Sequence, residues 1–216
     1  MTYAVKEVYR SVQGEGRHSG AACVFLRFAG CNAWTGREVD RARDATKAAC
    51  VLWCDTDFVG VDGPNGGRYG GADVLAEVVA RAWGSVPERR IVVVTGGEPS
   101  LQLDGSLVAV LLDRGFEVHV ETNGSCPLPA LCTWVTLSPK PPLPVVEQRY
   151  DEVKVVFDGG FDPEPWRSRA PVGTLSPLWS ADPAVMSERL RRLAAYVQER
   201  PWWRMTVQLH KLAGVP

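Results

Sequence analysis

Short runs of β-branched and aromatic residues recur along the chain, and between them the spacing of apolar positions changes to that of a helix. The runs predict strands over Tyr3–Tyr9, Cys23–Phe28, Ile91–Val94, Glu117–Val120, Trp134–Leu137, Glu152–Val156, Val172–Leu175 and Met205–Leu209. Helical spacing predicts a helix over Ala72–Trp83 with Val74, Val78, Val79 and Ala82 as its apolar stripe. It predicts another over Ser106–Arg114 that begins on a Ser cap and stops at Gly115. Met186, Leu190, Leu193 and Val197 mark a third stripe. Each stripe reads as core packing. Strands alternating with helices are the pattern of β/α units around a mostly parallel sheet. Eight strands against about three helices predict an α/β fold, an incomplete and distorted β/α barrel of partial TIM type rather than a full ring of eight units.

One stretch escapes this pattern. From Ala29 to Gly71, Gly, Asp, Arg and Cys dominate, and a loop this long inside a compact domain is usually functional. The full 216 residues suit one compact domain, 1–216, and the Pro-rich stretch Pro139–Pro144 reads as a stiff connector within it. Twenty-four basic and twenty-five acidic side chains leave a net charge of -1, so no field draws the chain to nucleic acid or an anionic membrane. Met1–Arg10 lacks the apolar core of a signal peptide, and no run of apolar residues is long enough to span a bilayer; the expectation is a soluble, cytoplasmic protein. In that compartment six cysteines point to metal or redox chemistry before disulfides.

Three of the six share the long loop. Eighteen residues separate Cys31 from Cys50 and three separate Cys50 from Cys54. Three thiolates on a four-iron cluster leave one iron open for a reactant, which would make the loop chemically active. A structural zinc site generally takes four protein ligands; no fourth Cys or His lies between Cys31 and Cys54, and His18 is the nearest candidate. Free or buried thiols are the third reading. Spacing leaves all three open. Cys23, Cys126 and Cys132 read as small apolar residues in or near strands.

Further motifs narrow the choice. Cys54-Asp55-Thr56-Asp57-Phe58 follows the cysteines at once, and the strand Ile91–Val94 runs straight into Thr95-Gly96-Gly97-Glu98-Pro99. Together these resemble the radical S-adenosylmethionine superfamily, whose cysteines commonly read Cys-x-x-x-Cys-x-x-Cys with an aromatic residue before the last, here Trp53. Val12-Gln13-Gly14-Glu15-Gly16, Arg27-Phe28-Ala29-Gly30-Cys31-Asn32, Glu121-Thr122-Asn123-Gly124, Ser138-Pro139-Lys140, Glu152-Val153-Lys154 and Gln208-Leu209-His210-Lys211 extend the resemblance over nearly the whole chain. They are similar to one family, the 7-carboxy-7-deazaguanine synthases, in which the first cysteine gap is expanded. This chain departs from that family in the second gap, which is one residue longer, and the extra residue is expected to bulge.

The resemblance implies a 4Fe-4S cluster on Cys31, Cys50 and Cys54, with S-adenosyl-L-methionine on its open iron and a radical ring contraction of 6-carboxy-5,6,7,8-tetrahydropterin with loss of ammonia. In the cofactor site it places Trp53, Asp55, Gly97, Glu98, Ser138, Pro139, Lys140 and Ser176. Two glycines would let backbone carbonyls approach an ammonium closely, while Glu98 would supply opposing charge or hold the turn. For the pterin it places Val12, Gln13, Gly14, Glu15, Arg27, Thr95, Glu121, His210 and the terminal carboxylate of Pro216, carried there by the last strand. Thr56 would hold Mg2+, although Asp55 and Asp57 are the better ligands on chemistry alone. It further implies a homodimer and an electron donor such as flavodoxin. Competing readings are another radical S-adenosylmethionine enzyme, such as a glycyl-radical activase, and a non-catalytic metal-binding module.

Overall fold

A computed structural model, describing residues 1–158 and 160–216, shows a nine-stranded sheet. Its strands are β1 (Tyr3–Val12), β2 (Ala22–Phe28), β3 (Gly67–Tyr69), β4 (Arg90–Gly96), β5 (Phe116–Thr122), β6 (Trp134–Leu137), β7 (Glu152–Phe157), β8 (Val172–Pro177) and β9 (Trp203–Met205), in the order β3-β1-β2-β4-β5-β6-β7-β8-β9. From β2 to β9 the neighbours are parallel, and β1 is antiparallel to both β2 and β3. The sheet stays open between β3 and β9, so the expected incomplete barrel is what forms.

Parallel strands need crossover connections, and helices cover the outer face. α2 (Ala72–Trp83) and α3 (Gly105–Asp113) bury Leu75, Val79 and Trp83, and Leu107 and Leu111, against Val92, Val94, Val118 and Val120. The expected stripe on α2 is rotated, because Val74 faces solvent at 53% exposure while Leu75 is fully buried. Asp104, not Ser106, caps α3: its carboxylate accepts the Leu107 N–H at 2.9 Å and the Tyr3 hydroxyl at 2.8 Å. α4 (Pro183–Glu199) carries the third stripe under an Asp182 cap.

Two departures concern the site. The long loop is partly ordered into regular turns, a 3-10 turn at Glu38–Asp40, a short helix α1 (Arg41–Asp44), a 3-10 turn at Ala49–Leu52, and β3. The expected strand Met205–Leu209 ends at Met205, and Leu209–Ala213 is a helix, α5. The Thr206 N–H still donates to Leu175 O at 2.8 Å, and beyond it the segment turns to the first part of the chain. Thr206 Oγ1 accepts the Gly16 N–H at 3.0 Å and the Leu209 N–H donates to Gly14 O at 3.0 Å. The extension of β1 therefore meets the extension of β9 and bridges the open side of the sheet.

Candidate active site

The carboxyl ends of the parallel strands converge on one mouth, the place where α/β barrels gather chemistry. Immediately after β2, Gly30 anchors the first cysteine turn: its N–H donates to Phe58 O and its carbonyl accepts the Glu98 N–H, each at 3.0 Å. This contact explains the paired glycines after β4. A Cβ on Gly97 would lie 2.3 Å from Gly30 O and 2.6 Å from Cys31 Cβ, and one on Gly96 would lie 2.5 Å from Phe28 O. Both are small because the cysteine-bearing backbone packs on them. Glu98, 1% exposed, spends its carboxylate on the scaffold, accepting Ser100 N–H (3.0 Å), Ser100 Oγ (2.6 Å), Thr122 Oγ1 (2.6 Å) and Asn123 N–H (2.7 Å). Of the two roles open to it, the side chain holds the turn.

Two adjoining cavities occupy the mouth. The larger, about 310 Å³, is lined by Cys31, Cys50 and Cys54, with Trp53, Asp55, Thr56, Gly97, Ser138, Lys140 and Ser176 around them. Burial pushes the Cys31 thiol up and the Cys50 thiol to about 11. Cys50 sits in the Ala49–Leu52 turn, and the lengthened gap is absorbed there, with Val51 buried and Leu52 turned out at 66% exposure. Among the described residues no three His, Cys, Asp or Glu side chains converge on a point that would hold one metal ion. A cube of four irons makes a different demand, since each thiolate binds its own iron. Lys140 donates to Ser138 Oγ at 2.7 Å and lies 5.6 Å from the Trp53 ring; burial lowers its pKa. Pro139 is turned away and lines a small neighbouring groove.

The second cavity, about 280 Å³, is polar and is lined by Gln13, Glu15, Arg27, Thr95, Glu121, His210 and Pro216. Glu15, Asp55, Thr56, Thr95 and Glu121 form the wall shared by both cavities. Arg27 is held from behind by Glu7 at 2.7 Å and Tyr9 at 3.3 Å. His210 arrives on α5 rather than on a strand end, and burial lowers its pKa. Gly14 is the floor under it, since a Cβ there would meet His210 Nδ1 at 2.0 Å. Val12 ends β1 outside both linings. Pro216 reaches the cavity rim, where an oxygen of its terminal carboxylate accepts the Ser11 hydroxyl.

Several residues here carried no sequence assignment. Lys154 bridges Glu15 (3.1 Å) and Glu121 (2.9 Å), and Gln13 Nε2 also reaches Glu121 at 3.1 Å. Burial alone would lower the Lys154 ammonium; Glu121 and Glu15 outweigh it and raise the pKa, while burial of Glu121 is outweighed by Lys154, which lowers it. The signal was a charge inside the apolar run Glu152–Phe157. Asp55 and Asp57, the acidic rivals of Thr56, are both engaged, Asp55 with Lys211 and Asp57 with Lys6, each at 2.8 Å. Gln208 lines both cavities, and its Oε1 is buried without a partner among the described residues.

No family model matches the chain. Curated relatives do: proteins named 7-carboxy-7-deazaguanine synthase from Caulobacter vibrioides and Bradyrhizobium diazoefficiens are each 45% identical to it, and one from Bordetella pertussis is 44% identical. All three alignments cover the whole of both sequences. The crystal structure of QueE from Escherichia coli superimposes with a TM-score of 0.72 at 25% identity, covering 97% of this chain and 95% of that one. Full-length identity at this level, on a matching fold with its cysteine-lined mouth, leads to one conclusion: the chain belongs to the 7-carboxy-7-deazaguanine synthase family.

Proposed function

We propose that this protein converts 6-carboxy-5,6,7,8-tetrahydropterin to 7-carboxy-7-deazaguanine, as a carbon–nitrogen lyase of the radical S-adenosylmethionine type. The observation that carries the reading is the pair of adjoining cavities, one lined by three cysteines and the other by hydrogen-bonding and charged groups, with a common wall at Thr56, Thr95 and Glu121. Such an arrangement puts a radical source and an organic substrate edge to edge.

The residues present fit the groups the family implies. Three thiols, with no fourth Cys and no His among the described lining residues, suit a cluster with one open iron, and Cys31, Cys50 and Cys54 would hold it. Gln208 Oε1, a buried acceptor with no partner among the described residues, fits a ligand donor at the shared wall. When bound, the cluster and S-adenosylmethionine supply the carbon-centred radical that abstracts a hydrogen atom. The chain's own part is binding and orientation. Arg27, already fixed by Glu7 and Tyr9, offers its free edge to a carboxylate, and Glu15, Glu121 and the amide of Gln13 face the donor-rich rim of a pterin. Lys154 donates to both Glu15 and Glu121 and holds the Glu121 carboxyl in its ionised, accepting form. With Asp55 and Asp57 taken by lysines, Thr56 is left to meet Mg2+, a cation that keeps much of its water and takes few protein ligands. Lys140, Ser138 and Ser176 would contact the S-adenosylmethionine moiety. A one-electron donor such as flavodoxin and a homodimeric state complete the proposal.

Anaerobic reconstitution followed by turnover tests it. The wild type is expected to become brown and to form 7-carboxy-7-deazaguanine in a magnesium-stimulated reaction; Cys31→Ala, Cys50→Ala and Cys54→Ala are expected to lose both colour and product, and Thr56→Ala the magnesium stimulation. A full four-iron spectrum and normal product from Cys50→Ala would overturn the ligand assignment.

A further inference from the structure

The eighteen residues between Cys31 and Cys50, together with Val51 and Phe58 beyond them, form a small unit with its own core, in which Ala33, Trp34, Ala48, Val51 and Phe58 are buried beside Cys50. Asp44, fully buried, holds it together: it accepts the Thr35 N–H at 3.0 Å and pairs with Arg43 at 3.0 Å and Lys47 at 2.9 Å. One side chain of this unit reaches the backbone between the other two cysteines. Arg41 donates through Nη1 to Val51 O and through Nη2 to Cys54 O, the latter at 3.3 Å. Its guanidinium also lies over the Trp34 ring at 4.4 Å, three residues beyond Cys31, and its Nε is held by Glu38 at 2.8 Å.

These contacts meet a specific need. A 3-10 turn leaves the carbonyls of its last residues without helical partners. Trp53 N–H satisfies Cys50 O, but Val51 O lies at the end of the turn, in the one gap where this chain carries an additional residue. A planar fork can take two carbonyls at a set separation and stack on an indole at once, whereas an ammonium on a flexible stem cannot.

We propose that Arg41 is a positioning residue that fixes the spacing of Cys50 and Cys54 and locks both to the Cys31 turn, so that the insertion works as a brace for a lengthened cysteine gap. The proposal rests on the reading of these cysteines as cluster ligands. Loss of Arg41 removes a charge-assisted bond to each of two carbonyls and the stacking contact, which loosens the loop and leaves the sheet intact.

The experiment compares Arg41→Ala and Arg41→Lys with the wild type and with the exposed Arg37→Ala, each reconstituted anaerobically. Iron per chain, the electron paramagnetic resonance spectrum after reduction, and the rate at which a chelator bleaches the visible absorbance are read, together with the melting midpoint of the metal-free chains. Arg41→Ala is expected to bleach at least about tenfold faster, the least that loss of two charge-assisted hydrogen bonds and the stacking contact produces. It should also show a shifted spectrum while melting as the wild type does. Arg41→Lys should fall between, and Arg37→Ala should match the wild type. Wild-type bleaching and spectra in both Arg41 variants would overturn the proposal, and so would a metal-free melting midpoint that falls in step with bleaching, since the residue would then support the fold. Failure of the underlying reading looks different: Cys31→Ala would then retain a wild-type cluster whatever Arg41 does.

Discussion

The Glu98 carboxylate is 1% exposed and accepts from four donors spread over the ends of β4 and β5. Glu98→Ala would strand the Thr122 hydroxyl and the Asn123 amide in the interior, so the metal-free chain should lose about 2–3 kcal/mol of stability in urea denaturation. A loss below about 0.5 kcal/mol would mean that water replaces the carboxylate freely. The Gly-Gly-Glu segment was visible in the sequence, but its physical reason was not, because the approach of Gly30 to Gly97 at the far end of another strand has no local signature. Most of the proposed site residues were legible through motifs, and the structure brings nearly all of them to the two cavities. Lys154 and Arg41 were not legible, since a lysine in a strand and an arginine in a loop acquire their meaning only from distant partners.

Among the elements, the patterned ones are legible in the sequence, down to the four-residue β6, while β3 and the 3-10 turns are not. β3 has three residues and no apolar run to announce it. β9 stops short of the expected extent although Thr206–Leu209 has strand-like composition: the Thr206 N–H still donates to Leu175 O, but the Thr206 hydroxyl takes the Gly16 N–H and the Leu209 N–H donates to Gly14 O. The turn that bridges the open side carries a further consequence. His18 lies within it, and its ring packs 4.5 Å from His119 on β5 and 4.6 Å from Trp134 on β6. Burial lowers the pKa of His18, of His119 and of His210 below the ordinary 6.5. The unfolded chain therefore takes up protons first as pH falls, so the stability these histidines contribute is full above pH 6.5 and is lost progressively below it. Urea midpoints of the metal-free protein should fall between about pH 8 and about pH 5.5, and His18→Phe should flatten that slope. A midpoint that rises on acidification would contradict the assignment.

For the molecule as a whole, strand–helix alternation announced the incomplete barrel, while the closure of its open side by two chain ends could not be read from any one segment. That closure joins Gly16 to Thr206 across 190 residues of sequence. Contacts so far apart are slow to form, because the chain between must first be ordered. In pulse-labelled refolding, the amides of Gly16 and Leu209 should gain protection after those of Val92–Val94, and simultaneous protection would show that the bridge forms with the sheet. On the ribosome the same geometry imposes an order. A nascent chain can pair its early strands while Gly14, Gly16 and the base of His210's pocket still wait for residues not yet made. Until synthesis reaches them, the cell holds a partly paired sheet without a complete substrate cavity, so the bridge acts as a timer on when this protein can begin to work.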